Sequence, residues 1–383
     1  MTRKQVILMA IREQITWIQA ADILGLTARH MRRLKLRFEH QGWDGVRDHR
    51  GSTPRRRRIT SKTIRRLCAL YERSYQGFSV QHFWEQATEH HGFRLSYTWT
   101  RLVLQEAQLV PKAPARGKYR RKRERRPLVG MLVHLDASTH AWLPDPPMQD
   151  LVVALDDADG RMLYARFWPQ EGTASTFAAL HHVLQHHGRF AELYTDRGSH
   201  FCHTATAGTA PDLAHPSQVQ RALTALGIRH ILARSPEARG RSERAFGTLQ
   251  GRLPQELRLH GIADYAAANL YLTTTFIADF NRRFTVRPAQ PGTAFVPLVG
   301  LDLRLVLSAQ HPRVVQNDST VRFGPLTLQL PPTRERPHYV RCPVLVHELP
   351  DDSLALSYQG RLLARYDRAG LLLEAPTPKG RAA

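Results

Sequence analysis

Leu128-Val129-Gly130-Met131-Leu132-Val133-His134-Leu135-Asp136 is an apolar run closed by a carboxylate, and the rest of the chain is read outward from it. A second run, Phe190-Ala191-Glu192-Leu193-Tyr194-Thr195, is closed by Asp196. A third carboxylate, Glu243, stands near the start of a helical pattern, in Ser235-Pro236-Glu237-Ala238-Arg239-Gly240-Arg241-Ser242-Glu243-Arg244. Two carboxylates at strand ends and one on a helix can converge at one edge of a sheet. In a strongly basic chain, such a set suggests the handling of divalent cations at a phosphodiester.

The basic balance is the strongest global fact. With 55 Lys and Arg against 33 Asp and Glu, the formal net charge is +22. A polyanionic partner accounts for this, because each phosphate neutralised releases counterions. At 383 residues with 42% apolar content, the chain is long enough for two to four globular domains. No apolar run approaches the length of a membrane span. The N-terminus lacks a signal-peptide pattern, so a cytoplasmic protein is expected. Three widely separated cysteines, Cys68, Cys202 and Cys342, suit buried thiols better than a disulfide framework.

Residues 1–45 are expected to form a helix-turn-helix. Ile18, Ala20, Ala21, Ile23 and Leu24 make an apolar-rich helix that stops at Gly25, and Thr27 can cap the next, with Met31, Leu34 and Phe38 at helical spacing. Arg29, Arg32, Arg33 and Lys35 fall outside that stripe, where a recognition helix meets DNA. Residues 46–59, with Gly51 and Pro54 ahead of Arg55, Arg56, Arg57 and Arg58, form a basic linker able to follow a phosphate backbone. Residues 60–110 hold a second helical unit: Ser79 caps a helix with Phe83 and Ala87 inside, and Ser96 caps another carrying Leu102, Val103 and Leu104, with Tyr97 and Arg101 near its leading end. Residues 111–127 contain Lys118, Arg120 and Arg121 in a charge block that cannot bury itself, so they read as a linker or DNA-binding arm.

From 128 to 290 the pattern is three strands followed by alternating helices and strands, ending in a helix over 264–284. Residues 297–370 are short β-rich runs separated by turn residues, as in a small barrel or sandwich, and 371–383 read as a disordered tail. The expected fold is multidomain: N-terminal all-α helix-turn-helix units, a central α/β core and a small all-β domain.

In order, Asp136, then Thr195-Asp196-Arg197-Gly198-Ser199, then Ser235-Pro236 leading to Glu243-Arg244 resembles the DDE catalytic core of retroviral integrases and many bacterial transposases. Leu135-Asp136-Ala137-Ser138 and Gly240-Arg241-Ser242-Glu243-Arg244-Ala245-Phe246-Gly247-Thr248-Leu249-Gln250 are similar in particular to ISNCY-type insertion-sequence transposases. The resemblance covers about residues 1–300 and implies that the 128–290 core is RNase H-like. It also implies cleavage and strand transfer of DNA by Asp136, Asp196 and Glu243, which hold two Mg²⁺ ions, Mn²⁺ being able to substitute. Asp136 would bridge the pair, Asp196 hold one ion and Glu243 the other.

The implied partners are double-stranded DNA, as element terminal inverted repeats and as target, and further copies of the chain in a synaptic complex. No membrane is involved, and a bacterial protein of this kind would lie in the cytoplasm, on the nucleoid when DNA-bound. Arg239 and Arg241 flank the acids as phosphate contacts. Asp156 and Asp157, which also follow a strand, suit a structural turn better. His200, Cys202 and His203 make only a weak zinc pattern. From Asp196 to Glu243 is 47 residues, and the excess falls in 200–220 as a surface insertion. Two competing readings are a DNA-binding repressor that keeps an inactive core and a stand-alone RNase H-type nuclease.

Overall fold

The computed structural model describes residues 1–47, 59–112, 124–145, 147–203, 212, 214–233, 240–332, 336 and 338–374. The chain divides into two compact units, Met1–Leu67 and Cys68–Ala383.

The first unit holds α1 (Arg3–Ile11), α2 (Trp17–Ile23), α3 (Ala28–Val46) and the start of α4 (Ser61–Ser74). Threonine hydroxyls start the first three helices: Thr2, Thr16 and Thr27 accept from the backbone N–H of Gln5, Gln19 and His30 at 3.3, 3.2 and 3.2 Å. Each satisfies a donor that has no partner inside the helix. Gly25, at φ +62°, turns the chain between α2 and α3 without the strain a Cβ would bring. Val6, Ile7, Ala10, Ala20, Ala21, Met31 and Leu34 form the core. The inward face of α2 is made by its alanines, while Ile18 and Ile23 stand 64% and 52% exposed. Arg29, Arg32, Arg33 and Lys35 are all exposed on α3, with Lys35 lying 3.7 Å from Glu39.

In the second unit, α5 (Val80–His90) and α6 (Tyr97–Glu106) are capped by Ser79 and Ser96, each hydroxyl accepting a backbone N–H at 3.3 Å. Phe83 and Ala87 are buried, as are Val103 and Leu104, whereas Leu102 is 52% exposed. Among the described residues no helix is long and apolar enough to cross a membrane.

A five-stranded sheet forms the centre of this mixed α/β unit. Its strands are β1 (Leu132–His140), β2 (Gln149–Asp156), β3 (Met162–Trp168), β4 (Glu192–Thr195) and β5 (Arg229–Leu232), in the order β3-β2-β1-β4-β5. β1, β2 and β3 pair antiparallel, and β4 and β5 join β1 in parallel. Helices α7 (Thr173–His187) and α8 (Gln218–Leu226) cover one face, burying Val133, Leu135, Val152 and Ala154 with Phe177, Leu180 and Leu223. Helices α9 (Gly240–Leu259), α10 (Tyr265–Tyr271) and α11 (Ile277–Phe284) cover the other, burying Leu151, Val153 and Ala165 with Phe246, Leu249, Leu253 and Phe280. A π-helical turn, Leu272–Phe276, joins α10 to α11, so the helix expected over 264–284 is continuous but locally widened.

The first strand is displaced from its sequence expectation. It begins at Leu132, not Leu128, and continues past Asp136 to His140. Gly130 sits at φ +79°, outside strand geometry, and a Cβ there would lie 2.7 Å from Phe295. At the far end, Ala137–His140 extend the strand because they pair with Gln149–Val152. Asp136 is therefore mid-strand.

Beyond α11, α12 (Leu303–Val306) leads to β6 (Ala309–Val314), β7 (Thr320–Phe323), β8 (Leu326–Gln329), β9 (Pro343–Glu348), β10 (Leu354–Tyr358), β11 (Arg361–Tyr366) and β12 (Leu372–Glu374). Five of them form a sheet ordered β12-β11-β10-β9-β6, and β7 and β8 form a hairpin. Two expectations are corrected. Tyr339-Val340-Arg341 is a turn with Arg341 at φ +58°, and Leu372–Glu374, expected as tail, adds a strand because it pairs with Arg365 and Tyr366. The tail beyond Glu374 lies outside the described residues.

Candidate active site

Strand pairing sets the first two carboxylates on neighbouring strand paths. β1 and β4 run parallel, and their ladder ends with His134 opposite Tyr194, so each strand path reaches its carboxylate, Asp136 or Asp196, two residues further on. Asp136 pairs across β2 with Val153, whose side chain belongs to the α9-facing core. Directly opposed residues share a face, so Asp136 faces α9. On β4, Leu193 packs on the opposite face and Tyr194 turns back to the α9 face; Asp196 follows at the same parity. Asp136 is only 8% exposed, and its Oδ1 accepts from the Ala137 N–H at 2.9 Å. Asp196 is half-buried, its Oδ1 accepting from the Gly198 N–H at 2.8 Å.

Helix α9 carries the third acid across this face. Gln250 donates from Nε2 to Ser138 Oγ at 3.0 Å, and Ser138 lies two residues beyond Asp136 on the same face. Glu243, Gly247 and Gln250 are spaced i, i+4, i+7, so Glu243 shares the stripe that meets β1. It is exposed in the first turn of the helix. Among the described residues, no three His, Cys, Asp or Glu side chains are close enough together to hold a metal ion, so the three acids are not gathered into one cluster.

A fourth carboxylate joins this edge, and the sequence alone did not single it out. Glu171 precedes α7; its N–H donates to Asp150 Oδ2 at 2.7 Å, and its Oε1 lies 3.7 Å from His200 Nε2. Burial, then the neighbouring charges of Asp196 and Asp150, push its pKa up to about 7. No periodicity marks a lone glutamate before a helix; only the folded loop brings it to Asp196. The oxygen-rich donor set Asp136, Asp196 and Glu243 fits hard divalent cations, and the crowding felt by Glu171 is what a bound cation would relieve.

Asp157 lies on the β2–β3 turn, but it is a buried hub rather than a solvated carboxylate. Its Oδ1 takes His134 Nε2 at 2.7 Å and also Arg241 Nη1, and its Oδ2 takes the Arg126 N–H at 2.7 Å. These hydrogen bonds overcome the cost of burial and hold its pKa well below the usual carboxylate range. Asp156, also buried, accepts from the Gly130 and Ala158 N–H groups at 2.6 and 2.8 Å, yet burial still raises it to about 6.

The expected phosphate contacts divide. Arg241, 16% exposed at its side chain, turns inward onto Asp157 because that buried carboxylate needs a partner. Tyr97 is exposed and Arg101 half-buried at the start of α6. Arg55, Arg56, Arg57, Arg58, Lys118, Arg120, Arg121 and Arg239 lie outside the described residues. Nor is 200–220 wholly a loose insertion. Phe201 is buried in the core and Ser217, the cap of α8, donates to its carbonyl at 3.0 Å; residues 204–211 and 213 lie outside the described ones. The cysteines are free, with Cys202 and Cys342 buried.

A Sinorhizobium fredii protein bearing the name transposase y4bF is 31% identical over 365 residues, covering 94% of this chain and 79% of its own. The transposase for insertion sequence IS1202 of Streptococcus pneumoniae is 27% identical over 358 residues, covering 84% of this chain and 76% of its own. The chain belongs to this family of insertion-sequence transposases. No family model matches it. Among solved structures, a chain of the simian T-cell lymphotropic virus intasome in complex with the PP2A regulatory subunit B56 gamma is 16% identical, with a TM-score of 0.35, covering 82% of this chain and 100% of its own. The HTLV-2 integrase catalytic core domain in complex with magnesium is 19% identical, with a TM-score of 0.27, covering 39% of this chain and 89% of its own.

Proposed function

We propose that this transposase binds the ends of its insertion sequence and catalyses metal-dependent cleavage and strand transfer, with Asp136, Asp196 and Glu243 as the catalytic and metal-holding acids. The observation that carries this is the register of β1 and β4, which sets Asp136 and Asp196 each two residues past the last pair of their ladder, under the α9 stripe bearing Glu243. The strand order supports reading the core as RNase H-like. When bound, two Mg²⁺ or Mn²⁺ ions supply activation of the attacking oxygen and stabilisation of the leaving oxyanion at one phosphorus. Asp136 and Asp196 would hold those cations beside the phosphate, their carboxylates oriented by the Ala137 and Gly198 N–H groups. Glu243, on a separate helix, closes the set from above. The attacking group is water in cleavage and the freed 3′-hydroxyl in joining, and no covalent protein intermediate is required.

The partners follow from the charge: duplex DNA at element ends and target, bound by further copies of the chain in a synaptic complex in the bacterial cytoplasm. The exposed Arg29, Arg32, Arg33 and Lys35 on α3 would read the end, and Tyr97 and Arg101 on α6 would add to it. The basic segments that include Arg55–Arg58, Lys118, Arg120 and Arg121, with Arg239 beside the acids, would follow phosphates. The test is joining of labelled duplex, carrying the sequence that flanks the gene, into a plasmid. Mg²⁺-dependent joined product is expected. Binding without any cleavage would leave the repressor reading, and cutting without joining the nuclease reading.

Arg32→Ala with Arg33→Ala is expected to weaken binding of that end duplex. Loss of base contacts would cut the preference for end over random DNA, each contact costing about 1–3 kcal/mol. Loss of phosphate contacts would weaken both alike and lower the salt slope by about 0.9 log unit per contact. Competition gel shifts at several salt concentrations distinguish the two, and an unchanged affinity would remove α3 from end recognition.

A further inference from the structure

The start of α9, and with it Glu243, must be held over β1 for the proposed chemistry. Glu243 makes its approach from the first turn of the helix, where three or four backbone N–H groups have no intrahelical partner and fraying is easiest. Further along, Gln250 ties the helix to Ser138. Two residues before Glu243, Arg241 reaches Asp157. That carboxylate also holds His134, which is two residues before Asp136 on β1. The Asp157 and His134 side chains are 1% and 4% exposed, so the link is made in the dry interior. The main chain at Arg126, the end of the basic segment, is bound to the same carboxylate, and Arg125 Nη1 donates to the Asp157 carbonyl at 3.1 Å.

We infer that Asp157 is a positioning residue for the transposition reaction: through Arg241 and His134 it locks the first turn of α9 to β1 and so sets Glu243 against Asp136. It touches neither DNA nor metal. A carboxylate suits the task because its two oxygens can accept from three elements at once, and Arg241 gains a fixed orientation from a partner that cannot move. This rests on the assignment of Glu243 as a catalytic acid, and its test can fail separately from that assignment.

The experiment compares the full chain with Asp157→Asn, Arg241→Gln and Arg241→Lys. Hydrogen exchange is followed on the peptide covering 240–249, and single-turnover cleavage of end duplex is measured across a Mg²⁺ titration. In Asp157→Asn and Arg241→Gln, exchange in the first turn of α9 is expected to quicken, while 250–259 stays protected. The Mg²⁺ needed for half-maximal cleavage is expected to rise roughly tenfold or more, the scale on which residues supporting metal ligands act. Arg241→Lys, which keeps the charge, should recover part of both effects. Wild-type exchange in 240–249 overturns the inference. So does a fall in thermal midpoint and rate together with an unchanged Mg²⁺ requirement, which would make Asp157 a stability residue only. Should the variants loosen α9 as expected while the wild-type chain cleaves nothing in any metal, the positioning stands and the catalytic assignment falls.

Discussion

Asp136→Asn, Asp196→Asn and Glu243→Gln are each expected to abolish both end cleavage and joining while the protein still folds and still binds DNA. Each change removes one negative charge and nearly preserves shape. Asp136 keeps an oxygen for the Ala137 N–H, and Asp196 one for the Gly198 N–H, so local structure survives. Exposed on α9, Glu243 carries no core packing to lose. Both reaction steps draw on the same cations, so the two activities should fall together, by about 10²–10³-fold, as when a group preorganised to stabilise transition-state charge is removed. Mn²⁺ is expected to support the wild-type reaction more permissively than Mg²⁺, because it tolerates distorted oxygen coordination. Ca²⁺ should support assembly with little chemistry. Glu348→Gln, on the far β-sheet, is the control and should cleave normally. Single-turnover cleavage of uncut and pre-cut ends at saturating protein reads all of this. If Glu243→Gln cut at the wild-type rate, the third acid would have to be sought elsewhere, Glu171 first.

The second large effect concerns how α5 is held to the core. One face of that helix carries His82, Glu85, Gln86 and Glu89, spaced i, i+3, i+4, i+7. His82 Nε2 and Gln86 Nε2 reach Glu256 Oε1 on α9 at 2.6 and 3.3 Å. Glu85 Oε2 takes Arg252 of α9 at 2.7 Å and Arg283 of α11 at 3.1 Å, and Glu89 takes Arg283 as well. The Arg252 and Arg283 side chains are only 10% and 14% exposed. Glu85→Ala leaves Arg252 facing a gap that its carboxylate filled, while Arg283 keeps Glu89. Breaking such a pair from one side costs about 3–5 kcal/mol, well above what a surface pair is worth. Urea unfolding should therefore show a much lower midpoint for Glu85→Ala. Arg282→Ala removes a guanidinium that is 58% exposed beside Asp279 and should scarcely move it. Equal midpoints for the two variants would mean that α5 is held by its apolar side alone.

Several elements were legible because their causes are local. Thr27, Ser79 and Ser96 cap the helices they were expected to cap, since a hydroxyl three residues before a free N–H needs nothing distant. Gly25 turns where only a residue without a Cβ turns freely. Met31, Leu34, Phe83 and Ala87 are inside because helical spacing had already put them on one side. The strands of the central sheet were legible as apolar runs, but β1 starts only at Leu132: Leu128–Met131 is apolar yet lies outside the strand, Val129 bridging to Thr293 instead.

Other features arise only when remote segments meet. That β1 lies between β2 and β4, with His134 opposite Tyr194, is set by hydrogen-bond pairing over tens of residues, and it is what brings Asp136 and Asp196 onto neighbouring strand paths. In sequence Arg241 is a basic residue beside the acids; only the fold sets the buried Asp157 against it. Glu85 and Glu89 look like an ordinary solvated helix face until Arg252 and Arg283 arrive from α9 and α11. Sequence by itself thus determined which residue types were available and where helices and strands could start. Tertiary structure decided which charges met, because burial forces a charge to find a partner and only the closed fold says which partner is in reach.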